Sequence, residues 1–185
     1  SKEQLARVAS QFAEEFPDLD VRPMCADFTG EHELPPCDAG ERTRTCYFPG
    51  STIGNFTRPQ AVHVLHRMAE MCGDEGSVVI GVDLKKDRKT LEAAYDDSDG
   101  FSREFALNYL VRLNRELDAD FHVDQFDYEA PYNGALGRIE MALISLRDQA
   151  VRLNGSCVQF GANERVRTEY SYKYTLATLC FRRRS

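Results

Sequence analysis

Glu169 and Ser171 stand two residues apart in a stretch, 165–175, where polar and aromatic residues alternate. On a β-strand that spacing sends both side chains to the same side. A carboxylate and a hydroxyl there can hold two neighbouring polar atoms of one small ligand. Read by strict alternation, Arg165, Arg167, Glu169, Ser171 and Lys173 share one face. Val166, Thr168, Tyr170, Tyr172 and Tyr174 share the other. A second chemical stretch is Tyr47-Phe48-Pro49-Gly50-Ser51-Thr52-Ile53-Gly54-Asn55-Phe56. Its two glycines let backbone come close to a bound molecule, and Asn55 both donates and accepts. An ordinary strand-to-helix turn has the same composition, so the residues alone leave both readings open.

Around these groups the periodicity predicts a set of positioning elements. Residues 2–16 place Leu5, Val8, Ala9, Phe12 and Phe16 at helical spacing. Residues 19–24 read as a strand running into Cys25-Ala26-Asp27-Phe28, and 44–48 as a short strand ending at the glycine turn. A helix follows, with Thr57 as N-cap, Pro59 just inside, Val62, Leu65, Ala69 and Cys72 inward, and Gly73 at its end. Residues 77–84 form a continuous apolar run, as expected for a strand covered on both faces. This alternation is one half of a doubly wound α/β sheet. Beyond it, 85–95 and 101–117 read as helices, the second with Phe105, Tyr109 or Leu110, Leu113 and Leu117 on one side. Strand-like segments near 121–128, 138–147 and 149–153, with turns at Asn133-Gly134 and Asn154-Gly155, complete an α+β lobe.

Three blocks carry a family resemblance: YFPGSTIGNF at 47–56, GVDLKKDRKTLEAAYDD at 81–97 and RVRTEYSYKYT at 165–175. Weaker matches lie at RPMCADF (22–28), LVRLNRELDADF (110–121) and RIEM (138–141). Together they resemble the histidine-specific, S-adenosylmethionine-dependent methyltransferases, which trimethylate the α-amino group of L-histidine in ergothioneine biosynthesis. The resemblance implies a partial class I (Rossmann-like) methyltransferase sheet over 1–84, an inserted substrate-binding lobe over 85–175 and a tail over 176–185. It implies S-adenosylmethionine as cofactor, with Asp27 and Phe28 against its adenine and Gly50 and Ser51 in the cofactor loop. An Asx turn above a core phenylalanine explains Asp27-Phe28 equally well. For the substrate, the resemblance assigns Asn55 and Tyr95 to the carboxylate and amine, Met141 to the imidazole pocket, and Glu169 and Ser171 to the ring nitrogens. Alternatively, Glu169 pairs with Arg167 or Lys173 across a solvated sheet face. The implied chemistry is methyl transfer to an unprotonated amine, which needs no nucleophilic residue and no metal; the protein has to align the reacting atoms.

Compared with the family, the chain opens on the helix after the second sheet strand and stops soon after 165–175. The expectation is therefore a family fragment cut at both ends. A non-catalytic amino-acid-binding remnant and a methyltransferase for another small amine are the competing readings. Net charge of −7 disfavours nucleic-acid and anionic-membrane surfaces, and Arg182-Arg183-Arg184 reads as a solvated tail. No apolar run reaches the ~20 residues of a membrane span. The six cysteines form no CxxC pair, and His63 and His66 lack a third ligand type at metal spacing. A cytoplasmic protein with free thiols and no metal is expected.

Overall fold

A computed structural model describes residues 2–30 and 43–179. Helix α1 spans Lys2–Glu15 and buries none of its residues; Phe12 and Phe16 stack on each other at 5.8 Å on the surface. Residues 19–24 form no strand, contrary to the sequence expectation. Val21 is their only half-buried side chain. With so little apolar surface covered, nothing offsets the cost of ordering an extended segment.

Strand β1 (Thr45–Phe48) pairs in parallel with β2 (Ser77–Ile80), and helix α2 (Arg58–Cys72) connects them. The start of α2 is chemically specified. Gln60 Oε1 accepts from the Thr57 backbone N–H at 2.9 Å and from its hydroxyl at 2.6 Å, and Pro59 lies in the first turn. The helix ends at Gly73 with φ 73°. Its inward face is Ala61, Val64, Met68 and Cys72, so the expectation is rotated: Val62 and Ala69 point out. Ala61, Val64, Met68 and Ile53 form one apolar cluster with Cys46, Phe48, Val78, Ile80 and Tyr174 around it. Strand β2 stops at Ile80 rather than 84; the chain then rejoins regular pairing at Leu84, which bridges Tyr174 in parallel.

The second part contains α3 (Arg88–Ala93), α4 (Phe101–Glu116) and six strands. Strands β3 (Phe126–Glu129), β4 (Tyr132–Asn133), β5 (Arg138–Ser145) and β8 (Arg165–Tyr172) form one antiparallel sheet centred on β5. Strands β6 (Gln149–Leu153) and β7 (Ser156–Phe160) form a hairpin around Asn154-Gly155, both at positive φ. A second apolar cluster lies between α4 and the sheet: Leu91, Ala106, Leu107, Leu110, Phe121, Phe126, Ile139, Leu143 and Val151. Helix α4 buries Ala106, Leu107 and Leu110. Phe105, expected inward, is 68% exposed. No helix of the described residues is long and apolar enough to cross a membrane.

Candidate functional site

The site is set by an irregularity in the β5–β8 ladder. Met141 pairs with Glu169, but Ala142 pairs with Arg167, so Thr168 is an extra residue on β8. Such a bulge resets which residues share a face. After it, Glu169 and Ser171 stand opposite Met141 and Ile139 on the inner face. Before it, Arg165 and Arg167 turn to the outer face. There Arg167 donates to the Tyr170 hydroxyl at 2.6 Å with its guanidinium 4.5 Å over the ring, and Arg165 pairs with Glu129. The strict alternation expected over 165–175 is therefore broken, and Arg167 is not a partner for Glu169.

Asn55 reaches this face because of Gly54. A Cβ on Gly54 would lie 2.9 Å from the Tyr172 carbonyl oxygen and 3.3 Å from its nitrogen. Only glycine lets the 3-10 turn Thr52–Asn55 lie directly on β8. Asn55 then donates to Glu169. Burial pushes the Glu169 carboxyl above its usual range, and the Asn55 bond only partly opposes this.

Tyr95 and Ser171 hydroxyls lie 2.8 Å apart, and Lys173 Nζ donates to both, at 2.7 and 2.8 Å. The Lys173 side chain is wholly buried and pairs with Asp83 at 2.9 Å. Burial works to raise the Asp83 carboxyl, yet bonds from Lys173 and Lys86 outweigh it and hold it below the ordinary carboxylate range. Asp83 is also tied to the glycine turn: its backbone N–H donates to Ser51 Oγ at 2.9 Å. Tyr128 steadies Tyr95 by donating to its carbonyl at 2.9 Å; burial first, then nearby carboxylates, push its phenol up to about 12.

A cavity of about 400 Å³ opens beside these groups, lined by Tyr95, Tyr128, Met141, Thr168 and Glu169 on one side. Helix α4 supplies the other wall with Phe101, Ser102, Phe105, Ala106 and Tyr109. Its first turn is anchored by Asp97, which accepts from the backbone N–H groups of Phe101 and Ser102. The Ser102 hydroxyl foremost, and then those backbone bonds, pull the Asp97 carboxyl down to about 2. The cavity suits a small amphipathic ligand: an aromatic wall, and one polar corner with acceptors and donors together.

Asn55, Tyr95, Met141, Glu169 and Ser171 are thus gathered at one place. Asp27, Phe28, Gly50 and Ser51 lie around the end of β1, linked to that place by the Asp83 N–H bond to Ser51. Phe28 packs against Phe48 at 5.6 Å and Phe56 at 6.0 Å. The Asp27 carboxylate accepts from both the backbone and hydroxyl of Thr29, which is the Asx turn allowed by the sequence. Gly50 and Ser51 have φ 72° and 57°. Sequence reasoning missed the α4 wall, Tyr128 and the role of Lys173. The signal for the wall was present in the spacing of Phe101, Phe105 and Tyr109, one helical turn apart.

The chain is 38% identical to the histidine N-alpha-methyltransferase of Mycobacterium tuberculosis over 172 residues, 92% of this chain and 53% of that protein. It is 38% identical to the protein of the same description from Mycolicibacterium smegmatis over 162 residues, 86% of this chain and 50% of the relative. Ergothioneine biosynthesis protein 1 of Neurospora crassa is 31% identical over 68% of this chain and 14% of its own length. The chain thus spans about half the length of the first two relatives. The model of the family described as histidine-specific methyltransferase, SAM-dependent, matches residues 1–180. This chain belongs to that family.

Proposed function

We propose that the chain forms the substrate-binding part, and a portion of the catalytic core, of an S-adenosylmethionine-dependent methyltransferase acting on the α-amino group of L-histidine. The observation that carries this is Glu169. It is a half-buried carboxylate with raised proton affinity at the corner of an aromatic-walled cavity, beside Ser171, Tyr95 and Asn55. A ring bearing N–H groups suits Glu169 and Ser171 as acceptors. A free amino acid's carboxylate suits Tyr95 and Asn55 as donors. Met141 and the α4 aromatics suit the flat faces of the ring. Excluding other amino acids then follows from buried polar groups left unpaired when the ring nitrogens are missing.

The parallel β1–β2 pair with α2 supports a place within a Rossmann-like class I sheet, and the β3–β8 region is read as the inserted lobe. The residues expected at the cofactor suit it. Phe28 keeps 47% of its surface exposed beside the left-handed Gly50-Ser51 turn, where the carboxyl ends of both parallel strands converge. Phe28 and Asp27 would flank the adenine, and Gly50 and Ser51 would lie along the cofactor's edge. S-adenosylmethionine supplies an electrophilic methyl group when bound. The chain's own residues hold the amino acid by both ends, which restricts the direction in which its amine projects. The cysteines among the described residues, Cys25, Cys46, Cys72 and Cys157, are free thiols, which suits a reducing cytosolic setting.

Calorimetric titration tests the reading. L-histidine should bind this chain with a stoichiometry near one, and L-tryptophan and L-lysine markedly less well. S-adenosylmethionine should bind as well; a chain that binds L-histidine but not S-adenosylmethionine would support the alternative of a non-catalytic amino-acid-binding module. Equal binding of all three amino acids would sink the histidine assignment.

A further inference from the structure

Lys173 is surrounded by oxygen acceptors that use all its protons. Its ammonium donates to Tyr95 Oη, Ser171 Oγ and an Asp83 carboxylate oxygen at 2.7, 2.8 and 2.9 Å. A lysine ammonium has three donors and no acceptor. Each hydroxyl therefore accepts one hydrogen bond from Lys173 before any ligand arrives. The two hydroxyls also bond each other at 2.8 Å, which consumes one of their two protons. One proton and one lone-pair site remain to face outward. When Ser171 donates to Tyr95, Tyr95 is the outward donor and Ser171 the outward acceptor. When Tyr95 donates to Ser171, the roles exchange.

We propose that Lys173 is a positioning residue that couples Tyr95 and Ser171 into a pair offering a ligand one donor and one acceptor, never two donors. The pair of Leu84 with Tyr174, and the Asp83–Lys173 bond beside it, hold the ammonium in place. A carboxylate taken by Tyr95 then obliges Ser171 to accept, so the ligand must bring an N–H to Ser171. Without Lys173 each hydroxyl is free to rotate, and the ordering of donor and acceptor is lost. The choice of ligand rests on the histidine reading above; the proton count rests on the geometry alone.

Two measurements separate these. In ligand-free chain labelled with nitrogen-15, the Lys173 ammonium, assigned through its own side-chain carbons, should exchange slowly with water. It should shift in Tyr95→Phe and in Ser171→Ala. An ammonium that exchanges freely, or ignores both substitutions, overturns the proposal whatever the ligand. In calorimetry, the double variant Lys173→Met/Asp83→Asn removes both charges together and avoids leaving a buried ion unpaired. It should weaken L-histidine about tenfold or more, the scale of one bond to a charged partner. Histamine, which has the ring but no carboxylate, should lose less than about threefold, because it does not use the outward donor. Equal weakening of both ligands in a folded variant would mean a merely structural lysine. A wild-type chain that binds neither ligand removes the histidine reading and leaves the exchange measurement to decide on Lys173.

Discussion

At the scale of single residues, Glu169 sets up a conflict between stability and binding. Its carboxyl has a raised proton affinity in the fold, mainly from burial. A raised acid favours the fold below its ordinary range, and that contribution is lost as pH rises through the folded value. At neutral pH the ionised group is therefore a cost. Glu169→Gln should raise the melting temperature at pH 7, by a few degrees at most. The gain should vanish when melting is repeated near pH 4, where the native acid is also neutral. The same variant should bind L-histidine at least about tenfold more weakly, since a charged acceptor is replaced by a neutral amide. A gain over the wild type that is no larger at pH 7 than at pH 4 would contradict the burial argument. Asp83 has the opposite sign. Its affinity for a proton is held down by Lys173 and Lys86, so its contribution is present above the ordinary aspartate range and fades as pH falls through the lowered value. Asp83→Asn should cost about 3 kcal/mol at pH 7, because it strands a fully buried ammonium. Denaturant unfolding at pH 7 and pH 3 should show that difference shrinking in acid.

At the scale of elements, the bulge at Thr168 and the glycine at 54 act together. The bulge turns Glu169 inward, and Gly54 lets the 3-10 turn deliver Asn55 to it. Gly54→Ala has nowhere to place its methyl except against β8 backbone, so it should destabilise by about 1–3 kcal/mol. Histidine binding should fall with it, and titration together with urea unfolding separates the two losses. A glycine that matters only for backbone freedom would leave Asn55 in place and binding intact. Helix α4 offers a second test. Asp97 caps its first turn and thereby positions Phe101 and Ser102 at the cavity wall. Asp97→Ala should lower the melting temperature by a few degrees. Amide exchange should quicken at Phe101 and Ser102 while Leu107 and Leu110 stay protected.

At the scale of the whole molecule, two apolar clusters are joined by a narrow polar seam. One cluster centres on Val64 and Met68 under the parallel pair, the other on Phe126 and Ile139 under the antiparallel sheet. The seam consists of the Leu84–Tyr174 bridge, the Asp83–Lys173 ion pair, and Tyr174 donating to the Ile53 carbonyl. All the groups proposed to hold an amino acid lie at or next to it. Phe126, 1% exposed, packs edge-on against Phe121 and Phe160 at 5.7 and 5.6 Å. Phe126→Ala should cost about 3–5 kcal/mol. Tyr174→Phe keeps the ring and removes only the bond to Ile53, so it should cost about 1 kcal/mol. Chemical denaturation followed by fluorescence and by circular dichroism distinguishes these magnitudes.

Periodicity and caps alone located α1, α2 and α4 and the strands on either side of α2, because helix caps and apolar spacing are local. The Thr57–Gly73 helix is the clearest case: its cap, its proline and its terminating glycine are all read directly from neighbouring residues. Asn55, Tyr95, Met141, Glu169 and Ser171 are legible only through the block resemblance. Periodicity had no means to bring Tyr95 beside Ser171, 76 residues away. The face of β8 was misread for the same reason. A one-residue bulge appears only when the partner strand is known, and it alone decides that Arg167 faces Tyr170 while Glu169 faces the cavity. Residues 19–24 are the reverse case. Their local propensity suggested a strand, but a strand forms only where a neighbour pairs with it and covers it. The burial of Lys173 was decided entirely by tertiary structure. A lysine is ordinarily a surface residue, and only the meeting of Asp83, Tyr95 and Ser171 around its ammonium makes its burial affordable.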